Sequence, residues 1–361
     1  MKIGLDLRFI GDNIYSTFVL ELVIGIIEKS SGQTFVIYTN KKIEGLEHEN
    51  VTIKNVGIKN GSIQEQSKYL KILKHDNNNL MIFFNHFKPI LYTLNYFTLL
   101  PSLKDVYYSN FSNYIKKYSY LYLLEKNLNN SVKIICFDTN TSDELIEKYN
   151  ISERKINLLQ GFFPNIHIHD HKTDLKINIK TRYGIKNDFF IYSGGEGVEK
   201  NYEKLVYVFD KLKKDGHQID LVFLGEAISK NVILRNIIIN LDLQTNIHFI
   251  GHIKQSEKIM FYNESMGVLF PSFYEPFPFR LSEPLHFGTA IISSELKNIR
   301  SIFGESINYF SAISVNNIYE KVKSYIDDKE GTKFHHKPVF EKIKKKYSKE
   351  NSIKQLIEII D

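Results

Sequence analysis

DFFIYSGGEGVEKNYEKLVYVFDKLKKDG, residues 188–216, is the stretch from which the fold is read. DFFIY is an apolar, aromatic run of strand type, and SGGEG is a glycine-rich turn. NYEKLVYVFDKLKK then carries apolar residues at helical spacing until Gly216 stops it. Strand, turn and helix in that order form the repeating unit of a parallel sheet. The same grammar recurs downstream. LVFLG (221–225), NIHFIG (246–251), GVLFPS (267–272), TAIISS and INYF read as strands. ISKNVILRNIIINLD and SEKIMFYNES read as helices between them. Alternation sustained over about 140 residues predicts a doubly wound α/β domain.

Upstream, KIGLDLRF, a helical pattern from Tyr15 to Lys29, and TFVIYTN make another β-α-β unit. LMIFFN (80–85), DVYYSN (105–110) and VKIICF (132–137) are further strand candidates, with YIKKYSYLYLLEKNL as a helix. The 361 residues are therefore expected to hold two domains, 1–165 and 188–335, joined by a polar linker at 166–187. A solitary amphipathic helix, Tyr347 to Ile360, follows.

Charge excludes some function classes. The net charge is +6, and the lysines are scattered along the chain. That suits an anionic substrate or an anionic membrane surface, not nucleic acid. Cys136 is the single cysteine, so no intramolecular disulfide can form, and a reducing compartment fits. MKIGLDLRF lacks the apolar core and cleavage site of a signal peptide. The longest apolar run, FVLELVIGII, is about half the length of a membrane span and contains Glu21. A cytoplasmic protein is expected.

Ligands of open α/β sheets sit beyond the carboxyl ends of the strands. SGGEGVEKN (193–201) lies there. Gly194 and Gly195 allow close backbone approach, and Lys200 offers a point charge, which together suit a phosphate. The other reading is an ordinary βα turn, because the pattern is neither GxGxxG nor a P-loop. LGEAISK (224–230) and IGHIKQSE (250–257) are either borders of a flat base or plain loops. YEPFPFRLSEPLHFGTAII, residues 274–292, sets Glu275 and Glu283 eight apart. Glu275 falls in a loop, and a helix is expected to start between Arg280 and Pro284. Its free amides near Phe279 and Arg280 would attract an anion, while carboxylates accept hydrogen bonds from the vicinal hydroxyls of a sugar or ribose. Loop decoration is the alternative. His167, His169 and His171 alternate in IHIHDH, but no Cys or Glu stands at zinc-site spacing beside them. HExxH, DxD, GxSxG and CxxC are absent.

On these residues the chain resembles the family 4 retaining glycosyltransferases of GT-B fold. The E-x7-E stretch with GTAIISS after it carries the likeness. GHIKQSEKIMFYNESMGVLFPS before it, NIRSIFGESINYF after it and FFIYSGGEGVEKN extend it. So do VKIICFDTNTSDELIEKYNISERKINLLQGFFP and the terminal YSKENSIKQLIEII. The resemblance implies an α/β protein with two Rossmann-like doubly wound parallel-sheet domains facing a central cleft. It implies that 336–361 crosses back to the first domain. Glu275 would contact the transferred sugar and Glu283 the nucleotide ribose. Lys200 would neutralise the diphosphate, aided by amides near Phe279. Gly194, Gly195, Phe277 and Phe279 would line the donor site, and Gly225, His252 and Ile253 would flank the base. Neither a cofactor nor a metal is implied.

Some positions depart from that pattern. Gly195 and Glu199 stand where the family often carries Arg. Arg280 stands where Pro is usual and is expected to replace the missing cation, while Pro278 replaces a common Gly. In the first domain the glycine turn is reduced to Gly11, and Asn110-Phe111 replaces a usual His-Asp. His86 is either an acceptor-side polar group or a satisfied loop residue. The implied function is retaining transfer of a sugar from a UDP-, GDP- or dTDP-sugar to a glycan or glycolipid acceptor. Surface polysaccharide synthesis at the inner face of the membrane, with peripheral association there, is the expected setting. A catalytically silent GT-B subunit that scaffolds an active partner is the alternative. An epimerase or phosphorylase of the same fold is the third reading.

Overall fold

The structure is a computed structural model that describes residues 1–30, 32–109, 114–165, 178–251, 253, 255–328 and 337–361. The chain divides into two compact units, residues 1–164 with 347–361, and residues 165–346. The helix Lys337–Lys346 lies with the second unit.

The first unit is built on seven strands: β1 Lys2–Asp6, β2 Thr34–Thr39, β3 Val51–Asn55, β4 Leu80–Phe83, β5 Tyr96–Leu99, β6 Lys133–Cys136 and β7 Ile156–Leu158. Their order is β3-β2-β1-β4-β5-β6-β7. The second unit holds β8 Asp188–Ser193, β9 Ile219–Leu224, β10 Ile247–Ile250, β11 Gly267–Phe270, β12 Ile291–Ser294 and β13 Asn308–Phe310, in the order β10-β9-β8-β11-β12-β13. Every pairing in both sheets is parallel. Both are doubly wound, as expected. Strands covered by helices on both faces need unbroken apolar runs, which is why DFFIYS, LMIF and GVLF are buried almost throughout. Strand order reverses between β1 and β4 in one sheet and between β8 and β11 in the other, and at such a switch point a crevice opens for ligand.

DVYYSN is not a strand. Lys104–Tyr108 is a helical turn with no buried residue, and Tyr107 is exposed. A central strand must bury both faces, and Tyr96–Leu99 does so with all four residues; it is β5. In the second unit, the helix Glu203–Lys214 buries Leu205, Val206, Val208, Phe209 and Leu212 on the β8–β9 face. In the first, the terminal helix Lys349–Ile360 packs on Ile14–Lys29. Gly25 makes that approach feasible, because a Cβ there would overlap Ile353. Cys136 is buried, and burial pushes its thiol up to about 12, so it is an inert core thiol. Among the described residues no helix is long and apolar enough to cross a membrane.

Candidate donor site at the switch point of the second sheet

The exits of β8 and β11 meet where the strand order reverses. After β8 the chain passes Gly194 to Gly197 and makes a 3₁₀ turn, Val198–Lys200. After β11 it runs through the loop from Pro271 to Pro278. The Phe273 N–H donates to the Glu199 carbonyl at 2.7 Å. Asn201 Nδ2 donates to the carbonyls of Pro271 and Ala312, each at 3.0 Å. These bonds lock the two exits together. Held in this way, Lys200 Nζ donates directly to Glu275 Oε1, which also accepts from Ser272 Oγ at 3.1 Å. Asn298 Nδ2 fixes the Glu275 backbone by donating to its carbonyl and to that of Pro276. Glu199, buried, lies 3.9 Å from Lys200 Nζ. The ion pair keeps opposite charges from standing unpaired in a dry place, which would be costly.

Each glycine of the turn answers to a specific neighbour. A Cβ on Gly194 would overlap the Tyr192 hydroxyl, which donates to the Gly195 carbonyl at 3.1 Å. A Cβ on Gly195 would sit 2.9 Å from Arg280 Nη2, so the Arg280 guanidinium occupies the space a side chain at 195 would take. Gly225 has φ of +143°, a region that favours glycine, and its Cβ position is 3.6 Å from the Gly194 carbonyl. The Gly225 N–H donates to the Ile250 carbonyl at 3.0 Å, which draws the exits of β8, β9 and β10 together; Ile253 packs into the core below.

Glu283 is held by a second set of partners. Tyr262 Oη donates to Glu283 Oε2 at 2.5 Å, and Lys258 Nζ donates to Oε1. Burial, and then the Glu283 charge, hold the Tyr262 hydroxyl well above the usual phenol range, so it stays a neutral donor. Burial likewise raises Tyr192. Tyr192 feels the charges of Arg280, Glu275 and Glu199, and Tyr262 those of Glu283 and Arg280. The arginine is thus within electrostatic reach of the groups around both glutamates. Lys258 and Tyr262 were missed in the sequence. Their i, i+4 spacing on the helix Gln255–Glu264 is the signal that could have found them.

Two expectations need correction. The Phe279 amide is not free: it donates to the Phe277 carbonyl at 2.9 Å, closing a turn about Pro278 (φ −82°, ψ 61°). Pro278 has no N–H. The helix after it, Ser282–Phe287, has six residues and sums few peptide dipoles. Positive charge here comes from side chains. Phe277 and Phe279 are buried, with ring centroids 4.8 Å apart, and serve as the wall of the loop. In the first unit, Gly11 sits in a capping turn, its N–H donating to Ser16 Oγ at 3.0 Å. A Cβ there would meet only Asn13 Nδ2 at 3.6 Å, so nothing local requires glycine. His252, Asn110, Phe111, His167, His169 and His171 lie outside the described residues. Among the described residues no group of three or more His, Cys, Asp or Glu is placed to hold a metal.

Residues 176–344 match the family described as glycosyl transferases group 1. An uncharacterized glycosyltransferase of Methanocaldococcus jannaschii is 23% identical over 204 residues, covering 56% of this chain and 50% of that protein. The O-antigen chain mannosyltransferase RfbU of Salmonella typhimurium is 21% identical over 226 residues, covering 62% of this chain and 58% of that protein. The matches thus span 50% and 58% of the lengths of these two relatives. The solved structure of Anabaena HepE in complex with UDP-glucose is similar with a TM-score of 0.73 and 12% identity, covering 100% of this chain and 99% of that one. The likeness is one of fold, and the GT-B class read from the sequence is borne out.

Proposed function

We propose, from the group 1 glycosyltransferase domain at residues 176–344, that this chain moves a sugar from a nucleotide-sugar donor to a glycan or glycolipid acceptor with retention of anomeric configuration. The observation that carries the reading is the Lys200–Glu275 pair at the switch point, with Arg280 filling the space beside Gly195. Before donor arrives, Lys200 and Glu275 neutralise each other. A diphosphate offers Lys200 a stronger partner and releases Glu275 to accept from the sugar hydroxyls. Arg280 adds the second cation, in the place the glycine turn leaves open. In transfer, the bond from the anomeric carbon to the diphosphate oxygen breaks and a bond to the acceptor oxygen forms. The acceptor's proton leaves with the diphosphate. Catalysis is positioning plus charge stabilisation by Lys200 and Arg280, without metal. Glu283, oriented by Tyr262 and Lys258, accepts from the ribose. Surface polysaccharide synthesis on the inner face of the membrane is the setting, by analogy with the Salmonella O-antigen chain mannosyltransferase.

One observation favours a second reading. Glu199 is buried 3.9 Å from Lys200 and opposes an incoming phosphate. A silent subunit that scaffolds an active partner would retain such a site without using it. Thermal-shift titration with UDP-, GDP- and dTDP-sugars separates the two, followed by NMR of the product formed with a glycan acceptor. Stabilisation and an anomer of unchanged configuration support the transferase. Absence of binding by the pure protein supports the silent subunit, and an inverted product removes the retaining assignment.

A further inference from the structure

A helix at the surface of a domain needs one apolar stripe, turned to the core. The helix Tyr114–Asn130 of the first unit carries two. Its buried residues are Leu124, Asn127 and Leu128, and both leucines pack into the core with Leu100 and Ile134. Ile115, Tyr118 and Tyr122 are 77%, 68% and 61% exposed. At 3.6 residues per turn these three fall within about 60° of arc, roughly opposite the buried face. Tyr114, 81% exposed, stands beside them at the start of the helix. Ile63, 89% exposed, extends the patch from another segment, because Ile63 and Ile115 line one hollow. Single exposed apolar side chains are ordinary, but a set aligned on one face marks an interaction surface.

The charge around the stripe selects its partner. Lys116 and Lys117, both exposed, lie between Ile115 and Tyr118 in the chain. Lys126 Nζ stands 5.9 Å from the Tyr122 ring centroid. From residue 114 to residue 126 three lysines face one acid, Glu125, so this part of the helix carries +3 − 1 = +2. Protein interfaces favour tyrosine but shed lysine. A bilayer surface takes both: the phenol ring lies at headgroup level with its hydroxyl hydrated, and the ammonium meets an anionic phosphate. Lysine stems are apolar, so these residues widen the stripe while their charges stay in water. From Ile115 to Tyr122 the stripe runs about 10 Å along the helix, at ~1.5 Å per residue, which suits contact with a surface and not a crossing.

We infer that this face of the first unit docks on an anionic lipid surface, with Ile115, Tyr118 and Tyr122 at headgroup depth and Lys116, Lys117 and Lys126 on the lipid phosphates. That the docking serves transfer of sugar to a membrane-borne acceptor rests on the transferase reading; the docking itself rests on the exposed stripe and its charge.

The chain holds no tryptophan, so Tyr118→Trp in the full chain supplies a single reporter. Tyr207→Trp, at an exposed position of the helix Glu203–Lys214 in the second unit, is the control. Each is mixed with vesicles of phosphatidylcholine alone, and of phosphatidylcholine and phosphatidylglycerol in equal parts. Emission from Tyr118→Trp should shift to the blue with the anionic vesicles only, and that from Tyr207→Trp should not move. The wild-type partition coefficient onto anionic vesicles, measured by sedimentation, should fall about 100-fold in Lys116→Gln/Lys117→Gln/Lys126→Gln, at roughly fivefold per lysine. It should fall about tenfold or more in Ile115→Ser/Tyr118→Ser/Tyr122→Ser, because such binding scales with the apolar area buried. Equal partitioning onto both vesicles would overturn the inference, as would binding to neither, or binding without a blue shift at position 118. So would a dimer in size-exclusion chromatography that the triple serine variant abolishes, which would assign the face to a second copy of the chain. The comparison of the two vesicles needs no variant, so a poorly folded one does not remove the test. Thermal shift with nucleotide sugars should be the same in every variant. Its absence in wild type would sink the transferase reading while leaving the docking result standing.

Discussion

Lys200 and Glu275, 75 residues apart in sequence, meet as an ion pair with side chains only 11% and 9% exposed. Removing one member leaves the other charge buried, at a cost of about 3–5 kcal/mol. The two losses should be unequal. Glu275→Gln leaves Lys200 with Glu199 at 3.9 Å, whereas Lys200→Met leaves two carboxylates facing each other. Urea unfolding should therefore find Lys200→Met the more damaging. The double variant should lose less than the sum of the singles by more than ~1 kcal/mol. Strictly additive losses would show that the pair does not hold the two exits.

Arg280 and Gly195 make a complementary pair of positions. Arg280→Ala should weaken nucleotide-sugar binding about tenfold or more, in line with ~1.5–3 kcal/mol for a charged hydrogen bond. Glu199→Ala should weaken it less, or strengthen it. The sharper check is rescue. In the Arg280→Ala background, Gly195→Arg places a guanidinium in the vacated space and should restore much of the affinity by isothermal titration. In wild type the same Gly195→Arg substitution crowds Arg280 and should weaken binding. Failure of rescue would remove Arg280 from the role of substitute cation.

The legible part of this chain was its grammar. Period-two and apolar runs gave nearly every strand of the second unit, and E-x7-E marked the loop where β8 and β11 converge. What could not be read was long-range. The Lys200–Glu275 pairing, Asn298 and Tyr262 act through contacts between residues 75, 23 and 21 positions apart in the sequence. The Phe279 amide looked free because nothing in PFPF announces a γ-turn about Pro278. DVYYSN misled because β-branched and aromatic residues also suit a half-exposed helical turn, and propensity yields to burial. YFTL, the true strand, is too short to stand out.

The Tyr262–Glu283 bond predicts how the ribose is read. Tyr262 stays neutral because burial raises its hydroxyl well above the ordinary phenol value. It therefore donates to Glu283 at any working pH. Tyr262→Phe should keep the fold but let Glu283 swing towards Lys258 alone. Discrimination of a ribonucleotide sugar from its 2′-deoxy analogue should then drop several-fold, and Glu283→Gln should abolish it. Binding constants for the two donors in each variant decide the matter. Unchanged discrimination in Glu283→Gln would move the ribose elsewhere.

His86 makes the first unit sensitive to acid. Burial lowers its pKa from 6.5 to about 4, with Asp105 opposing the shift. Between those values the unfolded chain binds a proton that the folded chain does not. Stability from this group is therefore fully present above about pH 6.5 and falls as pH drops towards 4. The gap corresponds to about 3 kcal/mol at most. Urea unfolding followed at pH 7, 6, 5 and 4.5 should show this decline, and His86→Phe should flatten it while leaving other carboxylate-linked slopes in place. A profile identical in wild type and His86→Phe would mean that this imidazole is charged or solvated in the folded chain, contrary to its buried position.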